Sequence, residues 1–363
     1  MEGHRARDLG IRIGTGDPGP RNAITDVAGV RVGHRSVIRG EDGAPDAVRT
    51  GVTAVFPHEG DPWKAPVYAG AHILNGYGEL IGINTIREWG ILESPIVLAS
   101  SLLIGKAYDA TVRWIAGRDD NAGEAVMPCV TECDDSYLSA VLTGPLSDDD
   151  VFGALEAATD GPVEEGCVGS GTGMQAFDFK GGIGTASRLL PAEHGAYTVG
   201  VLVMTNHGDR RNLLIDGVRV GEALDDEMPS EHSEGSCIAI AATDAPLLPH
   251  QLRRIAERTG MGLARGGSHA SNTSGEQLLA FSTATRLPTD VPTMQTTVLL
   301  DGARAGGKTM SALFRATVEA TEEAVVNALI AAHTVTGRDG HTLHALPVDR
   351  TLELLDAAGR LTR

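Results

Sequence analysis

Aromatic side chains are scarce in this 363-residue chain, where 3 Trp, 5 Tyr and 6 Phe make up only 4%. A core with so few rings must be packed from small aliphatic residues, and 46 Gly point to tight turns and close backbone contacts. Cysteine is equally sparse. Cys129, Cys133, Cys167 and Cys237 are too few and too scattered for a disulfide scaffold. The one close pair, Cys129 and Cys133, lacks the two-residue spacing and second ligand pair of a structural zinc site, so reduced, buried thiols are expected. Positive charge is short as well: 30 Lys plus Arg against 48 Asp plus Glu leave a net charge of −18. That balance argues against a nucleic-acid binder, and no lysine run offers a patch for a membrane surface. No apolar stretch approaches a membrane span. The opening MEGHRARDLGIRIG has charges but no apolar core of a secretory signal, so the cytoplasm is the expected compartment.

What is present, 42% hydrophobic and 21% charged residues, is ordinary for a folded soluble protein with a large core. Short apolar runs between glycine-rich turns predict strands at 29–32, 52–56, 96–100, 126–130, 198–204, 237–243, 278–283 and 296–300. Rich in Val, Ile and Ala without clean alternation, they read as strands covered on both faces. Residues 212–220, NLLIDGVRV, carry a hairpin signal at Asp216-Gly217. Helices are predicted at 102–115, 149–158, 249–259, 310–334 and 348–358. In the long one Phe314, Val318, Val325, Leu329 and Ile330 form a packing stripe. The mixture points to α and β layers packed together. The composition breaks at 221–235, GEALDDEMPSEHSEG, an acidic polar stretch that runs abruptly into the apolar strand after Ser236.

Several tempting motifs fail on form. VGSGTG at 168–173 and KGGIGT at 180–185 are glycine-dense, but neither is a dinucleotide fingerprint or a Walker loop, so close backbone packing is the better use. Twelve histidines include no His-x-x-x-His or His-Glu-x-x-His, which leaves a metal enzyme without local support and no metal or organic cofactor expected. No Gly-x-Ser-x-Gly elbow occurs. The stronger constellation is Glu234-Gly235-Ser236 at the head of a strand, with Thr205-Asn206-His207-Gly208 upstream and Ser274-Gly275-Glu276 downstream. A hydroxyl is a weak nucleophile and needs a base. If the chain is cut before Ser236, that residue gains an α-amine of pKa near ~8, able to take its own hydroxyl proton. Gly235 would let the backbone reach a geometry in which the hydroxyl attacks the preceding carbonyl.

These residues resemble the P1-type N-terminal-nucleophile aminopeptidases (family S58), the group of the L-aminopeptidase/D-esterase/D-amidase and the β-aminopeptidases. The resemblance runs through six ordered blocks: ITDVAGVRVGH at 24–34, RTGVTAVF at 49–56, AGAHILNGYGE at 69–79, GSGTGM at 169–174, FKGGIGTASR at 179–188, and Gly235-Ser236 leading to ATDAPL at 242–247. It implies an α/β (α+β) fold, a four-layer αββα sandwich in one peptidase domain spanning 1–363. It also implies self-cleavage between Gly235 and Ser236 into fragments 1–235 and 236–363, and tetramers of the cleaved heterodimers. By residue-for-residue match, Ser236 is the nucleophile, Ser274 and Glu276 flank it as a catalytic pair, and Asn206 is the oxyanion donor.

Glu132, within VTECDDSYL at 130–138, is a candidate anchor for a substrate's free amino group, with Asp134 and Tyr137 as further substrate-binding positions. Several family members carry an aromatic residue where Asp134 stands, and an extra carboxylate there would favour a more cationic substrate. Asn75 and Glu79 either line the pocket or form a strand-end turn. The implied activity is hydrolysis of the N-terminal residue from small peptides, amino-acid amides or esters. Acyl transfer of the ornithine-acetyltransferase kind and an uncleaved, inactive binding scaffold stand as alternatives.

Overall fold

Residues Gly235–Thr243 read GSCIAIAAT, and every one from Ser236 onward is buried. Side chains alternate across a strand, so Cys237, Ala239 and Ala241 enter one core while Ile238, Ile240 and Ala242 enter another. A strand with two cores needs cover on both faces. The computed structural model, which describes residues 4–119, 126–230, 235–300 and 307–362, identifies that cover.

In chain order the strands are β1 (Arg31–Arg39), β2 (Val48–Phe56), β3 (Val67–Gly76), β4 (Leu80–Ile81), β5 (Ile91–Leu92), β6 (Ile96–Ser100), β7 (Cys129–Cys133), β8 (Gln175–Ala176), β9 (Phe179–Lys180), β10 (Ile183–Leu189), β11 (Thr198–His207), β12 (Gly235–Thr243), β13 (Gly275–Arg286), β14 (Val335–Thr336) and β15 (Thr342–Leu343). One sheet has the order β1-β2-β6-β7-β4. The larger sheet runs β5-β3-β13-β12-β11-β8-β9, with β10 also paired to β11. One core lies between the sheets. A second separates the large sheet from the helices Pro249–Arg265 and Lys308–Ala331, and a third separates the small sheet from Ile104–Ala116 and Asp148–Glu156. The layers run helix, sheet, sheet, helix: the αββα sandwich implied by the resemblance.

Local chemistry explains the outer layers. Asp148–Glu156 starts at a capping box, the Ser147 hydroxyl accepting from Asp150 N at 3.2 Å and the Asp150 carboxylate from Ser147 N at 3.0 Å. A side chain on Gly70 of β3 would place Cβ 2.2 Å from Arg253 N, so helix Pro249–Arg265 settles on bare backbone there.

The long helix departs from the single-stripe expectation. From Glu319 to Ile330 it is buried around its whole circumference, because the N-terminal segment wraps its outer side. Glu323 accepts from Arg7 (2.8 and 3.0 Å), Arg188 (2.7 Å) and Asn22 (2.5 Å), and Asn327 accepts from Ala6 N at 2.9 Å.

Other expectations are corrected in detail. The strand expected at 29–32 is β1, shifted to Arg31–Arg39, and the one expected at 126–130 is Cys129–Cys133. Residues 296–300 form no strand: Leu299 N reaches Pro246 O at 2.7 Å, and Leu300 is exposed. The 212–220 hairpin reduces to one tight turn, with Asp216 and Gly217 at φ 47° and 77° and a single bridge from Ile215 to Val218. In the segment 180–185, Lys180 closes β9, Gly181 and Gly182 connect the strands, and Ile183 opens β10. All four cysteines are buried and unpaired, as expected.

Candidate active site

The large sheet brings together what the chain separates. β12 lies between antiparallel β11 and parallel β13, so Ser236 has Asn206 as register partner on one side and Gly275 on the other. Ser274 and Glu276 therefore bracket the residue beside the serine, and the four candidate catalytic residues meet at the ends of three adjacent strands. All four are buried.

Gly235 is fixed by its surroundings. Its φ is +64°, and a Cβ there would stand 1.5 Å from the Asn206 carbonyl oxygen, so no side chain fits. The peptide bond before Ser236 is thus held in a left-handed turn at the mouth of a strand. Glu234 lies outside the described residues.

Asn206 is oriented from both ends. Its Oδ1 accepts from Gln175 N at 3.1 Å, and its Nδ2 donates to the Asp134 carbonyl at 2.8 Å. A backbone N–H can only donate, so the amide oxygen is assigned by its partner. Glu276 accepts a hydrogen bond from the Ser274 hydroxyl through Oε1, while Oε2 is buried without a partner among the described residues. Burial pushes this carboxyl above its usual value, against the Ser274 hydrogen bond that favours the charged form.

A cavity of about 710 Å³ opens over the serine, lined by Tyr77, Glu79, Ser101, Leu102, Glu132 and Asp134 among others, together with Gly235 and Ser236. It holds three carboxylates and, among the described residues, no basic side chain. Glu132 is the penultimate residue of β7; Glu79 N donates to it at 2.8 Å and the Ser101 hydroxyl donates to its other oxygen. Burial pushes its carboxyl up, while those two donors pull the other way. Asp134 is exposed, its oxygens held by Ser136 N at 2.9 Å and Ser136 Oγ at 2.8 Å.

Two expected positions are placed apart from the cavity. Tyr137 does not line it; its hydroxyl meets Ser230 Oγ at 3.0 Å and its ring stacks on His341 at 4.5 Å. Asn75 donates to Ser271 O at 2.5 Å, a turn contact, whereas Glu79 does line the cavity. Sequence reading missed Ser101 and Asp135. Burial pushes Asp135 up to about 7, although the Ser100 hydroxyl donates to it at 2.6 Å. The only signal was the pair Ser100-Ser101 closing an apolar strand.

Known proteins resemble this chain along almost its whole length. Residues 22–343 match the model of peptidase family S58. The β-peptidyl aminopeptidase BapA of Sphingosinicella xenopeptidilytica is 41% identical over 98% of this chain and 92% of its own length. A Burkholderia sp. β-aminopeptidase superposes with a TM-score of 0.89 at 43% identity, covering 98% of this chain and 99% of that one. The L-aminopeptidase D-Ala-esterase/amidase of Ochrobactrum anthropi, described as a variant of the Ntn hydrolase fold, gives 0.91 at 40% identity over 99% of each chain.

Proposed function

The chain belongs to peptidase family S58 and is an aminopeptidase/amidase acting on peptide or amide bonds, and from that premise we propose that Ser236 is its nucleophile, released by self-cleavage. The observation that carries this reading is the convergence on one peptide bond. Gly235 is locked at positive φ, Asn206 faces Ser236 across β11, and Ser274 with Glu276 flank its other neighbour.

In maturation the Ser236 hydroxyl attacks the Gly235 carbonyl carbon, the Gly235–Ser236 C–N bond breaks, and an ester replaces the amide. Water then hydrolyses the ester, leaving a Gly235 carboxylate and a Ser236 amine. In turnover that amine takes the hydroxyl proton as Oγ attacks the substrate carbonyl, and later returns it to the leaving amine before water clears the acyl-enzyme. Asn206 has a second amide proton beyond the one given to Asp134, and it supplies the oxyanion contact, typically worth ~3 kcal/mol. The unpartnered Oε2 of Glu276 accepts from the new α-ammonium, a donor the uncut chain does not have.

Glu132 binds the substrate's amino group, the anion from which an aminopeptidase counts one residue. Its two hydrogen-bond donors hold it in place, and Glu79 and Asp134 extend the negative wall. Tyr137 stands outside that wall, held by Ser230 and His341. Substrates are then small peptides, amino-acid amides or esters with a free amino terminus and either α- or β-amino acids. The working form is a tetramer of cleaved heterodimers in the cytoplasm. Among the described residues no helix is long and apolar enough to cross a membrane.

Intact mass under denaturing conditions, with N-terminal sequencing, tests the reading. Two fragments are expected, one beginning Ser-Cys-Ile-Ala-Ile, and S236A should yield a single chain without turnover. A wild-type chain that stays whole while hydrolysing amides would overturn the shared nucleophile.

A further inference from the structure

The glycine-dense segments that lack the form of a phosphate loop have another use. Lys180, in β9, is wholly buried, and its ammonium donates to three carbonyls: Gly171 at 3.0 Å, Met174 at 2.6 Å and Gly181 at 2.8 Å. An ammonium has three protons, and all three are committed to one stretch of backbone. The tightest of these contacts falls on the carbonyl of the Met174–Gln175 peptide. The N–H of that same peptide donates to Asn206 Oδ1 at 3.1 Å. A trans peptide is planar, with C=O and N–H pointing opposite ways, so fixing its oxygen fixes the direction of its proton. Gly181 N also donates to the Met174 oxygen at 3.1 Å. A cation on the carbonyl further polarises the amide and strengthens its N–H as a donor.

We propose that Lys180 is a positioning residue for catalysis: its ammonium clamps the Met174–Gln175 peptide, and that peptide holds the Asn206 amide with its NH₂ end turned to the Ser236 site. The proposal rests on the reading of Asn206 as the oxyanion donor. It gives the two glycine-rich blocks a joint purpose. Gly171 and Gly181 contribute carbonyls to the clamp, and a Cβ on Gly181 would stand 2.7 Å from the Gln175 carbonyl oxygen, so the strap closes only around glycine.

A double-mutant cycle with K180M and N206A tests it, using alanine and β-alanine p-nitroanilides, with turnover counted per cleaved chain by intact mass. An oxyanion contact exists only in the transition state, so its loss lowers kcat and leaves KM alone. K180M is expected to lower kcat about tenfold or more with KM within about twofold, and N206A about 10²- to 10³-fold. The double variant should match N206A within about twofold, since Lys180 acts through Asn206. Losses that multiply in the double variant, or a K180M effect confined to KM, would overturn the proposal. So would a normal K180M kcat beside a crippled N206A, and there the oxyanion reading survives. A near-normal N206A would sink that reading and the proposal together. If K180M does not melt cooperatively, replacing the Gln175 backbone N–H by an ester oxygen removes the link to Asn206 and leaves every side chain in place. A kcat loss at constant KM then supports the proposal, and a normal kcat overturns it.

Discussion

Glu276 at the head of β13 and Glu323 in the middle of the long helix are both fully buried carboxylates in the C-terminal third of the chain. Glu323 is surrounded by donors: Arg7 and Arg188 pair with it, and Asn22 adds a hydrogen bond. Burial alone would raise its carboxyl, but the two guanidiniums outweigh burial and hold it below the usual carboxylate range. Glu276 has one hydroxyl on one oxygen and, among the described residues, no partner on the other, and burial pushes it up. Same side chain, same burial, opposite shift: the number of donors decides. A buried carboxylate with its full set of partners is a fastener, and here it ties residues on both sides of the proposed cut. One left short of a donor sits where the proposed cut would make a new cation.

The largest effect should come from E276Q. Removing a general acid–base or charge-holding group from a serine-amine site costs roughly 10²- to 10⁴-fold in kcat, and self-cleavage should slow with it. The melting temperature of the uncut chain should hold or rise, because the substitution removes an unpaired buried charge. The pH dependence has a definite sign. A carboxyl raised above its ordinary 4.5 favours the fold below that value, and the contribution is lost as pH rises through the raised pKa. E276Q should flatten that decline in urea melts between pH 4 and 8. A destabilised E276Q with normal turnover would make Glu276 a second fastener and dissolve the contrast.

E323Q should invert the pattern. It leaves Arg188 buried and undercompensated, a loss of about 3–5 kcal/mol in urea unfolding, while folded protein keeps kcat within about twofold. Glu323 is held below 4.5, so its contribution is present above that pH and lost as pH falls through the depressed pKa. The variant should therefore lie closest to wild type in strong acid and furthest from it at neutral pH.

How much of this contrast was legible in the sequence follows from what each residue needs. That Gly235-Ser236, Asn206, Ser274 and Glu276 belong together was legible only through the ordered blocks of the family resemblance, and the large sheet does bring them side by side. Buried strands such as β6 and β12 were readable from unbroken Val, Ile and Ala. β3 and β10 were not: VYAGAHILNG and IGTASRL carry Gly, His, Asn, Ser and Arg, which look like loop residues. Arg188 is tolerable inside a strand only because Glu319 and Glu323 come to meet it from the far end of the chain. Residues 296–300 erred the other way: TTVLL has strand composition but joins no ladder among the described residues, although the Thr296 hydroxyl meets Thr285 of β13 at 3.0 Å. Glu323 lies off the apolar stripe of its helix, so nothing local marks it as buried either. Pairing over 135 residues leaves no local trace.

Asp134 supplies the third carboxylate, and the smallest effect. Exposed at the cavity wall, with both oxygens held by Ser136, it is neither fastened by a guanidinium nor buried short of a donor. Its charge acts through water on whatever enters beside Glu132. An exposed pair of this kind is worth about 0.2–1 kcal/mol, a factor of up to ~5. D134N should lower the kcat/KM ratio of lysyl over alanyl p-nitroanilide roughly two- to fivefold, and 0.5 M salt should lower the wild-type ratio in the same direction by screening. Turnover of the alanyl substrate should change little, because Glu132, the proposed anchor of the amino group, is left in place. An unchanged ratio would mean that Asp134 serves the site through its backbone alone, as the carbonyl that receives Asn206, and that its side chain does not select substrates.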